Sequence, residues 1–102
     1  MKTYNVTNRL SKQAKTVIQN TINTIEYYKG CYFWTPAKSA DQRRMNERNF
    51  EANNKPFELI TKKGVISVHL TYSQSCKNVY FSSVIMRDGN VSNVSILKNL
   101  IK

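Results

Sequence analysis

The chain reads as an α+β domain: a long N-terminal amphipathic helix packed on a three- to four-stranded antiparallel meander, with a second basic surface helix. Three observations predict this. Apolar residues recur at spacings of three and four from Leu10 to Tyr28, they alternate singly from Phe57 to Ile85, and between these regimes lies a stretch rich in arginine. A length of 102 residues leaves room for one core, so a single domain over 1–102 is expected.

Residues 3–6, Thr-Tyr-Asn-Val, form either a short edge strand or a lead-in. The first helix presents Leu10, Ala14, Val17, Ile18, Thr21, Ile25 and Tyr28 as one stripe, with Lys12, Lys15, Gln19, Asn23 and Glu26 on the other side. Ser11 or Thr7 caps its start, Lys29 complements its dipole, and Gly30 supplies the stop. Cys31-Tyr-Phe-Trp34 is a brief apolar run, either a strand or a crossover. Two start signals follow for the second helix: Thr35-Pro36, and the capping box Ser39-x-x-Gln42. That helix runs to about Ala52, before Asn53-Asn-Lys-Pro56. Its apolar stripe is thin, so Trp34 and Phe50 are expected to peg it to the body of the protein.

After Pro56 the period becomes two. Phe57 and Leu59, then Ile66 to Tyr72, then Val79, Phe81 and Ile85 read as three strands sharing one core face beneath the first helix. A two-residue Lys62-Lys63 loop sets Leu59 opposite Ile66 and Phe57 opposite Val68. In the next hairpin, pairing Tyr72 with Val79 sets Leu70 opposite Phe81 and Ile66 opposite Ile85. Asp88-Gly89 is a hairpin turn leading to a fourth strand at Val91–Val94. Ser95 then caps a short closing helix, or the segment stays extended.

Sixteen Lys and Arg against six Asp and Glu give a formal charge of +10, which attracts polyanions. Cys31 and Cys76 are far apart and read as reduced thiols, implying a cytoplasmic setting. No apolar run approaches the ~18 residues that a bilayer requires, so no membrane partner is expected. With two separated cysteines and one histidine, no metal or cofactor is expected either.

His69 is the natural acid or base if the chain catalyses anything. Alternation puts it on the non-core face with Ser67, Thr71, Tyr80 and Ser82, beside Ile60, Val65, Val84 and Met86. That face is either covered in part by the second helix or a binding surface. A Cys31–His69 nucleophile pair has no flanking motif. The sharper signal is Arg43, Arg44 and Arg48 with Lys38 and Trp34: Arg44 and Arg48 share a helical face, and Arg43 pairs with Glu47. Such a helix can lie along a phosphate backbone, while Asn46 and Asn49 meet base edges or polar protein groups.

Three functional readings follow. The first is a small basic non-enzymatic nucleic-acid-binding accessory protein, a type common in phages and mobile elements, with Trp34 or Tyr80 stacking on bases. The second is a protein-binding inhibitor or adaptor whose basic helix occupies an acidic groove of a nucleic-acid enzyme or defence complex. The third is a small toxin-like ribonuclease, by analogy of architecture alone.

Overall fold

The computed structural model describes residues 1–29, 38–74 and 79–102. Gly30, Cys31, Trp34, Thr35, Pro36 and Cys76, to which the sequence assigns a helix stop, a peg, a start signal and thiols, lie outside the described residues. The elements are β1 (Lys2–Asn5), α1 (Lys12–Tyr28), α2 (Ala40–Asn53), β2 (Phe57–Thr61), β3 (Gly64–Gln74), β4 (Val79–Arg87), β5 (Asn90–Ser92) and α3 (Ser95–Leu100).

The class is α+β, but the sheet is five-stranded and mixed, in the order β1-β2-β3-β4-β5. The expected meander of three or four antiparallel strands omits β1, which lies parallel to β2 with Tyr4 opposite Leu59. Parallel strands need a long crossover, and α1 with α2 lies between them in the chain. Four residues of weak alternation carry no sign of which edge they will join.

Antiparallel pairing runs from β2 through β5. Leu59 faces Ile66 and Phe57 faces Val68, as the short Lys62-Lys63 turn dictates. Thr61 secures that turn: its Oγ1 donates to the Gly64 carbonyl at 2.7 Å and accepts the Lys63 N–H at 3.2 Å. The β3–β4 register differs from expectation by two residues. Tyr72 faces Phe81, Val68 faces Ile85 and Ile66 faces Arg87, while Gln74 closes on Val79. A slip of two keeps every side chain on its face, so alternation cannot detect it. Its consequence is that Arg87 ends the core-facing column where Ile85 was expected.

Asp88 and Gly89 both take positive φ, 50° and 83°, the left-handed pair of a type I′ hairpin turn. Asp88 also ties this turn to the start of β3, its N–H donating to the Val65 carbonyl at 2.9 Å and its Oδ1 accepting the Val65 N–H at 3.0 Å.

α1 begins at Ser11, whose Oγ accepts the Ala14 N–H at 3.1 Å. It buries Ala14, Ile18, Thr21, Ile22 and Ile25, so Ile22 joins the stripe. Ile18, Ile22 and Ile25 share one core cluster with Phe57, Leu59, Ile66, Val68, Leu70 and Ile85 of the sheet. α1 does not cover that face alone. Leu97 of α3 and Phe50 of α2 are buried in the same cluster, and Lys98 of α3 bonds Glu26 of α1 at 2.6 Å. Ser95 is the first residue of α3 rather than its cap: Val94 occupies the cap position, and Asn93 Oδ1 accepts from the Ser95 N–H and hydroxyl. β5 is correspondingly shorter than expected, ending at Ser92.

Candidate nucleic-acid interface

α2 starts at Ser39, whose Oγ accepts the Gln42 N–H at 3.1 Å, so the second of the two start signals is the one seen at the boundary. Phe50 is the one buried residue of the helix, at 6% exposure. Its ring meets Tyr72 edge-on at 4.5 Å between centroids, Tyr28 at 5.6 Å and Phe81 at 6.2 Å, while Tyr28 stacks on Phe81 at 5.0 Å. Burial raises the Tyr72 hydroxyl to about 12, with smaller contributions from Tyr28 and Glu47. Burial likewise raises Tyr28, with a smaller contribution from Tyr27.

Polar contacts fix the orientation of α2. Glu47 turns to the sheet, its Oε1 accepting the Gln74 N–H at 3.1 Å, which is a different engagement from the expected pairing with Arg43. Asn46 Nδ2 donates to Gln74 Oε1 at 2.8 Å, and its Oδ1 accepts from Gln42 Nε2 at 3.0 Å. Because Phe50, Glu47 and Asn46 all point at the β3–β4 hairpin, the opposite side of α2 is left to solvent.

On that side Arg44 and Arg48 are exposed one turn apart, and with Asp41, Met45 and Asn49 they line a shallow groove of about 430 Å³. Arg44 lies 3.9 Å from Asp41, a loose and exposed pair that leaves the guanidinium available to a stronger anion. Lys38 is exposed just before the cap, whereas Arg43, four residues before Glu47 and seven before Phe50, is half-buried on the side of α2 that faces the sheet.

Asn49 borders a second cleft, of about 300 Å³, where Asn46, Asn53, Asn54 and Gln74 surround the rings of Tyr28, Phe50 and Tyr72. Asn49 and Asn53 carry amide donors and acceptors to the rim of this cleft, and Asn49 also lines the groove of the two guanidiniums. Sequence reading missed Asn53, Asn54, Tyr28 and Tyr72 as part of this site. The signal available was the spacing Asn46, Asn49, Asn53, which repeats at helical intervals on one side of α2.

The remaining candidates are elsewhere. His69 and Tyr80 are exposed on the outer sheet face, away from the face on which α2 packs. Of the two explanations for that half-apolar face, coverage by α2 does not hold: α2 meets core-facing Tyr72, Phe81 and Gln74 instead. Val84, opposite His69, is 44% exposed and Tyr80 is 62% exposed. Thr71 and Ser82 share a hydroxyl hydrogen bond of 2.8 Å beside them. Trp34 lies outside the described residues. Among the described residues no group of three or more His, Cys, Asp or Glu can hold a metal ion, and no helix is long and apolar enough to cross a membrane.

No protein family, curated protein or solved structure matches the chain.

Proposed function

We propose that the protein is a small, basic, non-enzymatic nucleic-acid-binding protein, and that the solvent side of α2 is its contact surface. One observation carries the reading: Arg44 and Arg48 stand a turn apart on the exposed side of α2, and Asn49 beside them opens into the carboxamide and aromatic cleft. The two guanidiniums neutralise phosphates, and the cleft offers an unstacked base a polar rim and a ring surface. A net charge of +10 steers polyanions toward the protein from a distance. Lys38, exposed just before the cap, adds a further cation near the start of the helix.

Fluorescence anisotropy with labelled single-stranded RNA, single-stranded DNA and duplex, repeated across a salt series, tests this reading. Each phosphate neutralised contributes roughly −0.7 to −0.9 to the slope of log affinity against log salt. The variant R44Q/R48Q is therefore expected to weaken binding and flatten the slope by about 1.4 to 1.8. A wild-type slope near zero refutes the proposal.

The exposed outer sheet face favours a second reading, a protein-binding inhibitor or adaptor, since Val84, Val91 and Tyr80 lie open on it. That reading predicts a stable protein complex that survives nuclease treatment and is weakened by Y80A or V84K.

A further inference from the structure

At the end of the sheet remote from α2, two hairpin turns come together. Thr61 and Gly64 flank Lys62-Lys63, and the Asp88 carboxylate joins the second turn to Val65 at 3.0 Å. This bond brings Arg87 beside the two lysines, and the three cations line one cleft of about 570 Å³ between the turns and α3. Thr61, Ser92 and Asn99 add hydroxyl and amide groups, and no carboxylate is among the lining residues. Asp88, next to Arg87 in the chain, is engaged with the Val65 N–H.

Arg87 supplies an independent sign. Its Nε is buried and has no hydrogen-bond partner among the described residues. A buried donor without an acceptor is unfavourable, and a guanidinium so placed is satisfied most fully by an anion. We infer that this cleft is a binding site for a phosphate-bearing ligand of nucleotide size, gripped at a free or terminal phosphate by Lys62, Lys63 and Arg87. Three cations on one volume match the concentrated charge of a phosphate end better than the single charge of a backbone diester. The volume lies within the range of small-molecule sites. The α2 contacts made by Asn46 and Glu47 are at Gln74, ten residues along β3 from Gly64, roughly 33 Å at ~3.3 Å per residue, so this site and the Arg44–Arg48 surface are tested separately.

The test is an amide-resolved NMR titration of the full chain at physiological ionic strength. The probes are inorganic pyrophosphate, a nucleoside 5′-diphosphate, and one oligonucleotide with either a 5′-phosphate or a 5′-hydroxyl. Saturable shifts confined to residues 61–65, 87–88 and 92–96 are expected with pyrophosphate. R87M and the exposed-turn variant K62M/K63M should each weaken it roughly tenfold. Tighter binding of the diphosphate identifies a free nucleotide as the source, and a preference for the 5′-phosphorylated oligonucleotide identifies a nucleic-acid end. Shifts that spread over α2 without saturating overturn the inference, as does equal affinity for the two oligonucleotides with no response to pyrophosphate. Should R87M not fold, K62M/K63M decides: unchanged affinity for pyrophosphate overturns the site.

Discussion

Removing the ring of Phe50 should detach α2 while leaving the rest of the protein folded. The reason is the distribution of buried surface: Phe50 is the one buried residue of α2, whereas Ile18, Leu59, Ile66, Val68 and Leu97 fill the core without it. Truncating a buried Phe costs about 3–5 kcal/mol, and part of that here comes from edge contacts with three rings, each worth ~0.5–1.5 kcal/mol. What remains to hold α2 is chiefly the Glu47 and Asn46 bonds to Gln74, at about 1 kcal/mol each. That is too little for a mostly exposed polar helix, since isolated helices shorter than ~12–15 residues are marginal. A loss of about 3 kcal/mol shifts local opening by more than 100-fold. Hydrogen exchange in F50A should therefore show the amides of residues 43–53 close to unprotected while those of β2 and β3 stay slow. Salt-dependent nucleic-acid binding should fall with them. If α2 and β3 lose protection together and to the same rate, the helix is part of one cooperative unit and the reasoning is refuted.

Three other outcomes are expected. Glu26 is held below its ordinary 4.5, first by the hydrogen bond from Lys98 and then by that charge. Its contribution is thus present above pH 4.5 and fades as pH falls through the lowered value; melting of E26Q against wild type should show a small gap at neutral pH, reduced by salt and closed in acid. Tyr72 ionises near 10.0 when unfolded and at about 12 in the fold, so its contribution is complete below pH 10.0 and is lost as pH rises through about 12. Urea denaturation of Y72F should show a flatter decline across that window. Gly64 has φ 136°, and a Cβ there would collide with the Asp88 carboxylate. G64A should cost at least ~1–2 kcal/mol in chemical denaturation, and a comparable loss should persist in the D88A background because the backbone strain remains.

The α2 site was partly legible in the chain. The exposed pair Arg44 and Arg48 follows from helical spacing and a thin apolar stripe, and Ser39 announced the start of the helix. The carboxamide cleft was not legible, because Gln74 and Tyr72 reach Asn46 and Phe50 only when the hairpin end folds against α2. His69 and Tyr80 were assigned to the correct face by alternation, yet alternation is silent about which face a helix covers.

Local periodicity thus determined the α1 stripe, the shared core face of β2, β3 and β4, the tight Lys62-Lys63 turn and the Asp88-Gly89 turn. Each depends on residues close in sequence, whose geometry is set by backbone sterics and a repeat of 3.6 or 2. Tertiary structure alone decided the parallel place of β1, the side of the sheet taken by α2, and the two-residue register of β3 on β4. Those choices depend on which distant surfaces bury together, and a shift of two costs the local pattern nothing. The same shift carried Arg87 to the end of the core column and set it beside Lys62 and Lys63, a meeting that no local pattern announces.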